Sequence, residues 1–113
     1  MISEMEEVKQ AVIYIGLNDS ITHVQKFETD KYISILKKVC KSYRTAFSTS
    51  VIDGGYFHED GTYVEEKTLV LTLLGVDDGT VEEIARDLCA FFNQESVMVT
   101  YSQAKVHFIQ EKI

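Results

Sequence analysis

The sequence predicts an α+β, ferredoxin-like domain of order βαββαβ, an antiparallel sheet with two helices on one face. Three observations predict it. Two segments, residues 30–43 and 80–93, carry apolar residues at helical spacing. Four others are rich in β-branched and aromatic residues. The two kinds alternate as strand, helix, strand, strand, helix, strand over nearly all of the 113 residues, a length that suits one domain.

Residues 1–7 read as a frayed lead or a short helix. The first strand is expected from Lys9 to Leu17. Its centre, Ala11-Val12-Ile13-Tyr14-Ile15, is apolar at consecutive positions, as in a strand covered on both faces. Gly16 and Asn18-Asp19 end it with turn chemistry. A long connection follows, and Thr29 or Asp30 can cap the first helix. Its apolar stripe is Tyr32, Ile33, Leu36, Val39, Cys40 and Tyr43, with Lys31, Lys37, Lys38 and Lys41 opposite. Thr45 to His58 reads as a half-exposed strand in which Gly54-Gly55 marks a bulge or a close backbone approach. Asp60-Gly61 is a hairpin-turn dipeptide, and the partner strand runs from Thr62 to Leu74. Thr80 and Glu83 form a T-x-x-E capping box for the second helix, whose stripe is Val81, Ile84, Ala85, Leu88, Cys89 and Phe92. Ser96 to Tyr101 is the last expected strand. Ala104 to Ile109 reads either as a fifth strand or as an extension that pairs with another subunit.

Composition narrows the function classes. A net charge of −7 argues against direct nucleic-acid binding, which needs clustered Lys and Arg. No apolar run approaches the roughly 18 residues of a membrane span, and the acidic start lacks the features of a secretory signal. A cytoplasmic protein is expected. Cys40 and Cys89 sit on apolar helical stripes, as buried free thiols do. There is no P-loop, GxGxxG, HExxH, GxSxG or CxxC, so neither a cofactor nor a metal-ligand set is expected.

Topology picks out one end of the domain. With strand order 4-1-3-2, the first two strands and the second helix finish at the end where the third and fourth strands begin. Four distant stretches then meet: 16–25, 54–60, 62–68 and 93–96. They hold Asn18, Asp19, Gln25, Gly54, Gly55, Tyr56, Glu66, Thr68, Asn93 and Gln94, the candidate ligand-binding residues. Amides, carboxylates and hydroxyls can orient a small polar ligand. A glycine pair admits close backbone approach, and Tyr56 can stack on a base. His23 and His58 also fall at this end, and no ligand spacing makes them a metal site. Nearby cations are few: Lys26, Lys67 and Arg44.

Four short segments, Gly16-Leu17-Asn18-Asp19, Asp60-Gly61-Thr62, Glu66-Lys67-Thr68-Leu69 and Asn93-Gln94-Glu95-Ser96, together resemble a family of small proteins of bacteriophages and prophages of Gram-positive bacteria. The resemblance implies phage origin and action in the host cytoplasm. It further implies interference with host defence, by covering a host protein or by sequestering a nucleotide-derived signal.

Three readings follow. The first is a non-enzymatic module that binds a small polar ligand, with a nucleotide the leading candidate, and forms a homodimer or larger homo-oligomer. Oligomerisation is expected because a sheet with helices on one face leaves an apolar face open. The second is a protein-interaction module that inhibits a host protein through an acidic surface or a strand edge. The third is a small enzyme using Asp19, His23, His58 or Glu66 as acid or base.

Overall fold

A computed structural model of the protein describes residues 6–112. The elements are β1 (Glu6–Gly16), α1 (Thr29–Ser42), β2 (Ser48–Phe57), β3 (Tyr63–Leu74), α2 (Asp78–Phe91) and β4 (Met98–Val106). They form one antiparallel sheet of order β2-β3-β1-β4, the ferredoxin-like arrangement.

Strand alternation sorts the apolar runs. Odd-numbered residues of the central strands, Ala11, Ile13, Ile15, Leu69, Leu71 and Leu73, are buried. They belong to one core with Tyr32, Leu36, Val39 and Cys40 of α1 and with Val81, Ile84, Ala85 and Leu88 of α2. Truncating Ile13 to Ala there costs about 2–5 kcal/mol, because the rigid surroundings leave a cavity. Even-numbered Val12, Tyr14 and Val70 lie on the opposite face and are half-buried. The consecutive apolar run at 11–15 thus has one face under helices and one face open.

Several boundaries differ from the sequence reading. Glu6 and Glu7 belong to β1, paired with Val106 and Lys105, because a long β4 lies alongside. The rest of the expected frayed lead, residues 1–5, lies outside the described residues. Ala104 to Val106 completes β4, and residues 107–112 form no regular element, so the described sheet has four strands and not five. Helix α2 is capped by Asp77, whose carboxylate accepts from both the backbone N–H and the hydroxyl of Thr80, so Thr80 lies inside the helix. Gly54 and Gly55 pair in unbroken register with Glu66 and Glu65, which excludes a bulge. A Cβ on Gly55 would collide with the Tyr63 hydroxyl.

The register positions the end that carries the candidate residues. β1 stops pairing with β3 at Gly16 and Thr68, but β2 and β3 stay paired to Phe57 and Tyr63. The β2–β3 hairpin therefore overhangs the rim on which β1 ends.

Candidate functional site

β1 ends because residues 17–25 fold back on themselves. Asp19 donates its N–H to Val24 O at 2.9 Å, His23 donates to Asp19 O at 2.8 Å, and Asn18 and Gln25 form an isolated bridge. His23 closes this loop in the left-handed region, at φ 62°, a conformation uncommon outside glycine. From the other side, α2 ends at Phe91, and Asn93 turns the chain at φ 50°, an alternative to the glycine common after a helix.

Side chains join the two turns. Asp19 is buried, at 4% exposure. Its Oδ1 accepts the N–H groups of Ile21 and Thr22 at 2.9 and 3.0 Å. Its Oδ2 accepts Asn93 Nδ2 at 2.8 Å and lies 3.3 Å from Lys26 Nζ. The Asn93 hydrogen bond, with those from Thr22 and Ile21, holds this carboxyl well below the usual range and outweighs the opposing effect of burial. Ser20 donates to Asn93 O at 3.0 Å, and Gln94 Nε2 donates to Asn18 O at 2.6 Å. Asn18 N in turn donates to Glu66 Oε2 at 3.1 Å, which ties the rim of β1 to the overhanging hairpin.

Two cavities flank Glu66. The first, about 430 Å³, is lined by Asn18, Asp19, Ser20, His23, Tyr56, His58, Val64, Glu66, Gln94, Glu95 and Ser96. Its rings meet edge-on: the His58 centroid is 5.3 Å from Tyr56 and 6.2 Å from His23. Burial, with the charges of Glu66 and Glu95, pushes the Tyr56 hydroxyl up, and all three residues line this cavity. Asp19 has Lys26 as counter-ion. Neither Glu66 nor Glu95 has an ion-pair partner among the described residues. No Lys or Arg lines this cavity. The second, about 640 Å³, is lined by Asn18, Gln25, Asp53, Gly54, Gly55, Tyr63, Glu65, Glu66 and Lys67, and its one cation is paired with Asp53.

The candidate residues distribute as follows. Asn18, Asp19, Tyr56, Glu66 and Gln94 line the first cavity, and Asn18, Gln25, Gly54, Gly55 and Glu66 line the second. Asn93 lines neither and acts on Asp19. Thr68 also lines neither; it sits in the sheet, between Gly16 and Ile52. Arg44 lies in the turn after α1, at the opposite pole, because α1 runs antiparallel to β1. Glu95 was not among the candidates, and its adjacency to Gln94 in a converging stretch was the available signal. Ser20, Val64 and Ser96 lie in the converging stretches, and nothing in their residue types singled them out. Among the described residues, no three His, Cys, Asp or Glu side chains gather as a metal-binding group, and no helix is long and apolar enough to cross a membrane.

No family model and no curated protein sequence matches the chain. Among solved structures it is similar to a phage SAM lyase in the apo state, with TM-score 0.68, 21% identity, and coverage of 98% of this chain and 99% of that one. It is also similar to a phage SAM lyase in complex with S-methyl-5′-thioadenosine, with TM-score 0.66, 19% identity, and coverage of 89% and 90%. At this identity the likeness establishes a shared fold over nearly the whole chain.

Proposed function

We propose that the chain binds S-adenosyl-L-methionine (SAM) in the cavity between Tyr56, Glu66 and Glu95 and cleaves it. One observation carries this reading: two carboxylates without ion-pair partners among the described residues line, together with an aromatic ring, a cavity that no Lys or Arg lines. SAM is a purine nucleoside with a fixed positive charge on sulfur and no phosphate. Carboxylates and the face of Tyr56 attract such a cation. His23 and His58 offer further flat surface for a base. The same charge pattern repels the phosphates of a nucleotide signal, so the nucleoside suits the cavity better. A volume of about 430 Å³ is ordinary for a small-molecule site. The fold shared with phage SAM lyases raises this ligand above other cationic nucleosides.

Cleavage breaks the bond from sulfur to the amino-acid side-chain carbon. The bonding pair stays on sulfur, and neutral S-methyl-5′-thioadenosine leaves. The four-carbon fragment is completed by capture by its own carboxylate or by loss of a proton to a base, and Glu66 and Glu95 are the carboxylates at hand. We further propose a homodimer or larger homo-oligomer acting in the host cytoplasm. The open sheet face carries Val12, Tyr14, Val70, Ile52 and Met98, and cross-strand register continues this face through Glu66 and Val64 into the cavity. A second copy over this face would border the site.

The test is incubation of purified protein with SAM, followed by chromatography of the products. S-methyl-5′-thioadenosine should accumulate, and Glu66→Gln should abolish its formation. Binding of SAM without turnover would make the chain a SAM-sequestering protein. Neither binding nor turnover would overturn the reading.

A further inference from the structure

We infer that Asp19 and Asn93 are positioning residues: their hydrogen bond holds the turn that brings Glu95 to the cavity that Glu66 also lines. The inference rests on the SAM reading above. Three features of the geometry support it.

The Asn93 side chain is not needed to close α2. Backbone bonds already do that, with Phe92 N donating to Leu88 O, Asn93 N to Ala90 O and Gln94 N to Cys89 O. Glycine would serve the left-handed backbone at residue 93 at least as well. What Asn93 adds is the 2.8 Å bond from Nδ2 to Asp19.

Asp19 is the buried charged residue of the described structure, at 4% exposure. Burying a carboxylate is costly unless it is fully bonded. This one satisfies the N–H groups of Ile21 and Thr22, which shape the loop that presents His23. The same group thus organises a cavity-lining loop and grips the turn before Gln94 and Glu95.

The chain of bonds is continuous across the site. Glu66 accepts from Asn18, Asn18 O accepts from Gln94, and Asp19 and Asn93 brace the two turns beside that link. Without the brace, the turn keeps two bonds to the rim, Ser20 N–H to Asn93 O and Gln94 Nε2 to Asn18 O, while Glu95 itself is exposed and has no ion-pair partner among the described residues to hold it.

Asn93→Gly removes the side chain and keeps the turn. The probe is sinefungin, in which an amine-bearing carbon replaces the sulfonium and no carbon–sulfur bond can break. Calorimetry well below both thermal midpoints, where wild type and variant are fully folded, should show affinity weakened at least tenfold, although loss of the Asp19 bond lowers the midpoint of the variant. A second readout needs no ligand: the Tyr56 hydroxyl, followed by carbon NMR of labelled tyrosine and assigned with Tyr56→Phe, should titrate closer to its ordinary value once Glu95 drifts away. Asp19→Asn, which keeps the shape, should move both readouts the same way. Unchanged affinity and unchanged Tyr56 titration in Asn93→Gly overturn the inference. So does a loss of affinity that disappears once calorimetry is run far enough below the midpoint for the variant to be fully folded. If the wild type binds no sinefungin but Tyr56 still shifts in Asn93→Gly, the SAM reading fails and the brace stands.

Discussion

The Glu66 carboxylate occupies the space that a side chain on residue 16 would need. A Cβ built on Gly16 collides with the carboxyl carbon and both oxygens of Glu66, which are in place because Asn18 N–H holds one of them. Gly16→Ala should therefore act as a mutation of the site and not of the core. Its stability should change by less than about 1 kcal/mol, since alanine suits a strand better than glycine does. Its SAM affinity should fall as far as that of Glu66→Gln, and the double variant should be no weaker than either single one. Calorimetry on the three variants checks this, and additive losses would place Glu66 elsewhere.

Glu66→Gln and Glu95→Gln keep shape and remove charge. Each should weaken binding of a cationic adenosyl ligand about tenfold or more, which corresponds to about 1.4 kcal/mol. Wild-type affinity should also fall as salt is raised, because the partly exposed carboxylates are screened. The neutral S-methyl-5′-thioadenosine should show little dependence on either change. Equal losses for charged and neutral ligands would mean that the carboxylates do not read charge.

Asp19 gives stability a pH dependence of definite sign. Its carboxyl titrates well below the ordinary 3.8 because Asn93, Thr22 and Ile21 donate to it. A depressed pKa contributes stability that is fully present above the unfolded value and is lost as pH falls below it. Urea unfolding from about pH 6 down to about pH 2 should therefore show a steeper acid loss in the wild type than in Asp19→Asn. Parallel acid limbs would contradict the bonding described for this group.

An open apolar sheet face predicts assembly. Light scattering should give a multiple of the chain mass, and Tyr14→Glu, a charge at the centre of that face, should shift the population toward monomer. A wild type that is strictly monomeric at high concentration removes the expectation.

Reading the chain in order recovered the elements well and their edges poorly. The helices were legible from Leu36, Val39, Cys40 and from Val81, Ile84, Leu88, because a helical stripe is a local pattern. Glu6-Glu7 was not legible as strand, since two acidic residues pair there only because Lys105 and Val106 lie beside them. Asp77 lost the cap to Thr80 in the sequence reading because both residue types suit that position. At the rim, topology brought Asn18, Asp19, Tyr56, Glu66 and Gln94 to one cavity but could not tell lining from bracing, so Asn93 and Thr68 were grouped with them.

The sequence by itself determined the order of elements, the ferredoxin-like topology and the end of the sheet where four loops meet. All three follow from periodicities and turn residues that act over a few positions. Tertiary structure decided which carboxylates are neutralised. Lys26 reaches Asp19, while Glu66 and Glu95 line the cavity with Tyr56 and have no counter-ion among the described residues. That difference depends on register between residues dozens of positions apart. A one-residue slip would turn Glu66 to the other face of the sheet, so no local pattern in the chain could have revealed it.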